Sequence, residues 1–295
     1  MYQIFTDSSS DLTKEIREKY NIDYFRMMIN INGKDYHADL NYEEYSAIQI
    51  YDWIKDTNNK IRTSLIPNSE FRDKMKKYLD QGLDILYIAC TSALSGSFGV
   101  FNIVAEDLRK EYPDRQIVGI DSKRAGMTLG IQVIEACKLR DEGKTIEENV
   151  KHNEEYKKYC NLCGTVGTLT YLKAQGRVSA GAAFFGNLFS VKPIIVTDTL
   201  GHNCVIEKVK GSKASYQRLF EVVKNSINED DKNPLIYLGQ GMAQDAVDYL
   251  KERFEKELNA TVYDYWIGPI IGISCGPGVI HICYYGKEVT LTRNE

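Results

Sequence analysis

The chain has 295 residues, 43% apolar and 26% charged, enough to bury a large core as one big domain or two in the proportions of a soluble globular protein. Lys+Arg 37 against Asp+Glu 41 leaves a net charge of -4, and no Lys/Arg cluster is set among aromatic residues, which argues against a nucleic-acid partner. No basic stretch followed by an apolar one opens the chain, no apolar run approaches the roughly 20 residues of a membrane span, and seven scattered cysteines form no disulfide framework, so a cytoplasmic protein without a membrane span is expected.

Gln3-Ile-Phe5 reads as a strand leading through Thr6-Asp-Ser-Ser-Ser-Asp11 into a helical pattern over 12–20. Residues 24–36, with Asn32-Gly33 at the turn, read as a hairpin. Helices are predicted over 43–56 and 69–81, followed by a strand at Ile85-Leu-Tyr-Ile-Ala89 and a helix over 100–111. The strand Gln116-Ile-Val-Gly-Ile120 and a helix over 125–141 continue a strand–helix alternation that predicts an α/β sheet, mostly parallel. Residues 147–159 are charged, lack Pro and Gly, and read as a helix between lobes. Beyond them, strands are predicted at Gly164-Thr-Val-Gly-Thr168, Lys192-Pro-Ile-Ile-Val196, 234–239 and 261–266, with helices between and after the first two. Pro269-Ile-Ile-Gly-Ile273 and Val279-Ile-His-Ile-Cys-Tyr-Tyr285 read as further strands, separated by Ser274-Cys-Gly-Pro-Gly278. Two α/β lobes are expected, 1–155 and 156–295.

Four junctions after strands share one chemistry: Thr6-Asp-Ser-Ser-Ser10, Arg62-Thr-Ser-Leu-Ile-Pro67, the hydroxyl-rich 91–97 and Asp121-Ser-Lys-Arg124. Ligands of open α/β sheets bind outside the carboxyl ends of the strands, and a helix starting there offers free N–H groups to an anion. Hydroxyls and amides can hold a carboxylate by charge-assisted hydrogen bonds without burying a second charge. Capping of the following helices is the plainer account of Ser8 to Ser10 and of Ser69. For Thr63, Ser64 and Ser95, with Gly96 allowing close backbone approach, capping and ligand contact both stand.

Two motifs point elsewhere. Gly272-Ile-Ser-Cys-Gly276 fits G-x-S-x-G, but an α/β-hydrolase elbow needs a helix after the serine, and here Pro277-Gly278 and a β-rich run follow, with no acid between Ser274 and His281. A serine esterase using Ser274 is therefore the weaker alternative, beside a carrier of another small anion. Cys160-Asn-Leu-Cys163 fits C-x-x-C, yet no second pair exists, and isolated cysteines are commonly buried small hydrophobes, so no metal site is expected. No residue set supplies a nucleophile with its base, so neither catalytic residues nor cofactors are expected.

Taken in order, Thr6-Asp-Ser-Ser-Ser-Asp-Leu12, Arg62-Thr-Ser64, Leu94-Ser-Gly-Ser97, Asp121-Ser122, Gly176-Arg-Val-Ser179, Gly186-Asn-Leu188, Val191-Lys-Pro193 and Gly276-Pro-Gly278 resemble the DegV family of bacterial fatty-acid-binding proteins over nearly the whole chain. The resemblance implies an α/β fold of two lobes with a long-chain fatty acid clamped between them. It implies that Thr63 and Ser95 bind the carboxylate, with Ser64, Gly96 and Ser274 beside them. Phe184, Phe185, Leu188, Phe189, Ile270 and Ile271 are candidates to line the acyl chain, although plain core is the competing account of the phenylalanines. It further implies a separate fatty acid kinase as partner, met through Arg177; by itself an arginine after a glycine is more often a surface ion-pair residue. Ser274 stands where the family often has a histidine, and Leu65-Ile66 replaces a usual glutamine before Pro67. A hydroxyl there can donate one hydrogen bond but cannot titrate near neutrality. Burying about 15 methylenes at ~0.8 kcal/mol each gives on the order of 12 kcal/mol before ordering costs, so the tail would supply affinity and the head orientation.

Overall fold

The apolar run at the amino end becomes β1 (Tyr2–Asp7), an inner strand paired in parallel with β2 (Ile22–Phe25) and β6 (Asp84–Ala89). β7 (Ile117–Asp121) adds to β6, also in parallel, completing a four-stranded sheet of order β2-β1-β6-β7. A computed structural model describes residues 1–177 and 191–292 of the chain. They fall into two units, one of Met1–Glu44, Lys60–Lys157 and Gly268–Ile270, the other of Tyr45–Asn59, Lys158–Ile267 and Ile271–Glu295.

In the first unit, Ile85 to Ala89 is a continuous apolar run, as expected of a parallel strand covered on both faces. The helices α1 (Lys14–Lys19), α3 (Asn68–Leu79), α4 (Ser97–Glu111), α5 (Met127–Asp141) and α6 (Ile146–Tyr156) belong to this unit. Phe5 stacks on Phe25 at 4.6 Å between ring centres, Phe25 meets Phe71 at 4.5 Å, and Tyr87 meets Phe101 at 4.8 Å. Each such pair is worth about 0.5–1.5 kcal/mol beyond the area it buries. Gly119 on β7 belongs to the same design, since a Cβ there would lie 2.5 Å from the Phe101 ring.

The predicted hairpin forms, but from β3 (Met28–Ile31) and β4 (Lys34–His37). Asn32 and Gly33 both take positive φ, 53° and 87°, as a two-residue type I′ turn requires. β5 (Ile61–Ser64) joins β3 on its other side, giving a separate antiparallel sheet of order β4-β3-β5. Residues 22–25, partly assigned to the hairpin from sequence, are instead the edge strand β2 of the parallel sheet.

The second unit contains α2 (Ala47–Lys55), opened by a capping box between Ser46 and Gln49. Its sheet has the order β10-β9-β8-β13-β11-β12, formed by β8 (Cys160–Thr165), β9 (Val191–Thr197), β10 (Asn203–Lys210), β11 (Leu235–Gly241), β12 (Thr261–Trp266) and β13 (Val279–Tyr285). Only β11 and β12 pair in parallel, so the parallel expectation holds for the first sheet and not for this one. α8 (Ser212–Ser226) and α9 (Gln244–Leu258) bury Leu219, Phe220, Val247 and Phe254 against Ile236, Leu238 and Ile282. β10 is not among the predicted strands; it is an edge strand with a register irregularity between Val205 and Glu207, and its apolar run is only Cys204-Val-Ile206 before charged residues follow.

Pro269-Ile-Ile-Gly-Ile273 is not a strand but the body of α10 (Pro269–Cys275). A five-residue apolar run is ambiguous between helix and strand, and its flanks decide. Pro269 stands at the first helical position, and Gly276 ends the helix at φ 74° with its N–H 2.7 Å from Gly272 O. A Cβ on Gly276 would overlap the Tyr171 ring. Gly276→Ala is therefore expected to lower stability by about 3 kcal/mol, from left-handed strain plus overpacking, read as a reduced urea midpoint with unchanged m.

Candidate functional site

The loops that follow β1, β6 and β7 are knitted together at the carboxyl end of the parallel sheet. Asp7, fully buried at the end of β1, is the central acceptor. Its Oδ1 accepts from the Ser9 N–H at 3.0 Å and from the Ser9 hydroxyl, and its Oδ2 accepts from the Tyr87 hydroxyl and the Cys90 N–H, both at 2.8 Å. From the other side, Asp121 at the end of β7 accepts from the Ser92 N–H at 3.2 Å and from the Ser92 hydroxyl. Burial works against its charge, but the Lys123 ammonium at 2.8 Å and the Ser92 hydroxyl outweigh burial and hold the carboxyl below its usual range. Backbone bonds complete the seam: Ser122 N to Ala89 O at 3.2 Å and Thr91 N to Arg124 O at 2.9 Å. The loop over 90–97 is thus clamped between carboxylates from both neighbouring strands.

The fourth loop joins this network through one side chain. Ser97, 1% exposed at the start of α4, accepts from the Ile66 N–H at 3.3 Å and lies 3.1 Å from the Ser95 hydroxyl. Ser95 Oγ in turn accepts from the Ser97 N–H at 3.3 Å. An added Cβ on Gly96 would touch Leu65 Cδ1 at 3.4 Å, so the two loops also pack there. Thr63 stands three residues before Ile66, half-buried on β5. It is opposite Ile29 in the register, hence on the face that carries Ile29, Ile31 and Ile61. Its hydroxyl makes no hydrogen bond among the described residues. Ser64, next along the strand, is exposed and points to the other face with Arg62.

Capping does not account for Ser8 to Ser10 or for Ser69. Thr13 caps α1, and Pro67 occupies the cap position of α3. Ser8 instead accepts from the Met27 N–H at 3.0 Å, tying β1 to the start of β3. Ser10 Oγ and Asp11 Oδ2 are buried without a hydrogen-bond partner among the described residues. Burial pushes the Asp11 carboxyl up to about 8, against the opposing Gly268 N–H, which donates to Oδ1 at 3.0 Å.

Ile270 is buried and Ile271 half-buried, both on α10, with Ser274 half-buried in its last turn. Phe184, Phe185, Leu188 and Phe189 lie outside the described residues. Arg177 is half-buried just after α7 (Thr170–Ala174), and its place in the chain is a helix-stop geometry. Gly176 takes φ 67°, its N–H bonding Lys173 O at 3.0 Å, while the Arg177 N–H reaches back to Leu172 O at 2.9 Å. The glycine before the arginine is therefore required by the backbone.

The elbow pattern at 272–276 occupies a helix end followed by a strand, the reverse of a nucleophile elbow. Among the described residues His281 Nδ1 is buried without a partner, Nε2 lies 3.9 Å from Cys275 Sγ, and no acid orients the ring. Cys160 and Cys163 are three apart on β8, which sends their side chains to opposite faces. Among the described residues no group of three His, Cys, Asp or Glu is placed to hold a metal ion, and no helix is long and apolar enough to cross a membrane. A cleft of about 980 Å³ opens at the amino end of the parallel sheet, lined by Gln3, Asn21, Asp84 and Thr145 among others, away from the hydroxyl loops.

Sequence reasoning missed Asp7, Ser97 and Arg124. All three appear there only as members of short motifs, and nothing local reveals that Arg124 is 1% exposed, with its Nη1 donating to Lys123 O at 2.8 Å.

A family model described as "Uncharacterised protein, DegV family" matches residues 1–287. A DegV domain-containing protein of Clostridium perfringens is 30% identical, with 97% of each chain covered. Among solved structures, a stearic-acid-binding protein of Eubacterium ventriosum superposes with a TM-score of 0.86 at 22% identity, covering 97% of this chain and 99% of that one. A DegV family protein of Eubacterium eligens loaded with heptadecanoic acid gives 0.85 at 17% identity, covering 97% and 100%.

Proposed function

The chain belongs to the DegV family, and from that premise we propose that it binds a long-chain fatty acid with the carboxylate held by Thr63 and Ser95 and the tail buried. In this reading it acts in the cytoplasm without catalysis of its own and presents the bound acid, through Arg177, to a separate fatty acid kinase that forms the acyl-phosphate. The observation that carries it is the Ser97 link between the Thr63 and Ser95 loops, which joins uncharged hydroxyls at the carboxyl end of the parallel sheet. Support also comes from the fatty acids borne by the Eubacterium proteins. Uncharged donors suit a carboxylate that must later react, since its oxygens are not tied up in a bidentate ion pair.

The test is mass spectrometry of small molecules released when freshly purified protein is denatured in organic solvent. Near-stoichiometric long-chain fatty acid is the expected result, and it reveals the preferred chain. Thr63→Val and Ser95→Ala are each expected to weaken binding by about 1–3 kcal/mol, the cost of one hydrogen bond to a charged group. An empty extract, with no uptake of added stearic acid, would overturn the proposal and leave the loops to a smaller anion.

A further inference from the structure

We infer that Ser97 is a positioning residue whose hydroxyl sets the polarity of Ser95, so that the two serines work as a relay toward an acceptor-only head group. The inference rests on the fatty-acid reading above. Ser95 is half-buried, whereas Ser97 is buried and acts through its neighbour. A hydroxyl has one proton to give and two lone pairs. Ser95 Oγ already accepts the Ser97 N–H at 3.3 Å, and among the described residues its only other hydrogen-bond partner is Ser97 Oγ at 3.1 Å.

The geometry here has Ser95 donating to Ser97, and rotation of the two hydroxyls gives the opposite polarity. If Ser95 donates to Ser97, its single proton is spent and a carboxylate would face only lone pairs. If Ser97 donates to Ser95, the Ser95 proton is released to the ligand, and accepting two donors strengthens it as a donor. Ser97 Oγ still accepts the Ile66 N–H at 3.3 Å in either state, so reversing the bond strands no buried group. A carboxylate, which accepts and never donates, selects the second polarity. The same backbone bond to Ile66 ties the relay to the chain segment that carries Thr63, so one side chain registers both head-group donors.

The test is a double-mutant cycle on delipidated protein titrated with stearic acid. Ser97→Ala is expected to weaken binding about ten-fold, and Ser97→Thr, which keeps the hydroxyl, to recover all but about three-fold. In a Ser95→Ala background Ser97→Ala should cost less than about three-fold, because its target is gone; a merely structural role would weaken both backgrounds alike. Thermal midpoints of all variants accompany the titrations, and if Ser97→Ala does not fold, the Ser97→Thr and Ser95→Ala,Ser97→Thr pair carries the cycle, with coupling expected to be lost when Ser95 is absent. Additive losses, or wild-type affinity in Ser97→Ala, would overturn the relay while leaving fatty-acid binding intact. Wild-type protein that takes up no stearic acid would instead overturn the underlying reading, and the relay with it.

Discussion

Replacing Asp7 with alanine is expected to cost about 4 kcal/mol of folding stability, the scale for breaking a buried charged hydrogen-bond centre. The carboxylate has no exposure and satisfies four donors, among them the N–H groups of Ser9 and Cys90. Removing it strands those two N–H groups, which cannot turn away, and leaves the Tyr87 and Ser9 hydroxyls to find new partners in a closed interior. Asp7→Asn should be milder but still damaging, because the amide places an NH2 group against an N–H donor on one side. The Cys90 bond is also one of the two carboxylate clamps on the 90–97 loop, so the proposed fatty-acid binding is expected to fall with stability. Urea unfolding followed by circular dichroism measures the first effect; a loss under about 1 kcal/mol in Asp7→Ala would show that the network re-forms around water.

Asp11→Asn is expected to act in the opposite direction, raising stability on the alkaline side of neutrality. Asp11 is 4% exposed with Oδ2 unpartnered among the described residues, and burial raises its pKa from the usual carboxyl range to about 8. A raised pKa means that the folded state keeps a proton the unfolded chain has released. The stability contributed by the neutral acid is therefore complete below about pH 4 and is lost as pH rises toward 8, at about 1.4 kcal/mol per pH unit. His281 runs the other way: burial lowers its pKa to about 4, so the folded state refuses a proton the unfolded chain takes up below about 6.5. The two slopes oppose each other between pH 4 and 6.5, and above 6.5 the Asp11 slope stands alone. Thermal midpoints of the wild type should therefore decline from pH 6.5 to 8, and Asp11→Asn should abolish that decline. Asparagine keeps an acceptor for the Gly268 N–H and suits the positive φ of 55° at this position, so the gain at pH 8 is on the order of 5 kcal/mol less the cost of a second buried N–H. Parallel curves for the two proteins would mean that Asp11 is already ionised, or hydrated, in the fold.

Much of the α/β organisation was legible because it rests on local properties. The apolar runs at 85–89 and 117–120, the Asn32-Gly33 turn and the amphipathic helices each carry their own signal over a few residues. Where local signals were equivocal the reading failed. Pro269 to Ile273 has a strand's apolar length, but the proline before it and the left-handed Gly276 after it make it a helix. β10 has a three-residue apolar run broken by Glu207-Lys208 at a register irregularity, so neither strand period shows when its partner β9 is unknown. The serines at 8–10 have the composition of caps, yet their loop is organised by the buried carboxylate of Asp7 and by bonds to strands reached later in the chain.

An α/β chain with hydroxyl-rich loops after its strands, and the ordered short motifs that resemble the DegV family, could be read from the residues alone. Both were legible because hydrophobic period, turn residues and loop composition act within one element at a time. Which serine reaches which partner is set by long-range folding: Ser97 meets Ile66 across 31 residues of chain, and Asp7 meets Cys90 across 83. Long-range folding also decides which acids are charged, since the Asp121 and Asp11 carboxyls are the same chemical group driven in opposite directions, one by a lysine 2.8 Å away and the other by burial with a single N–H donor. Such contacts depend on strand order and loop closure, which no window of neighbouring residues encodes.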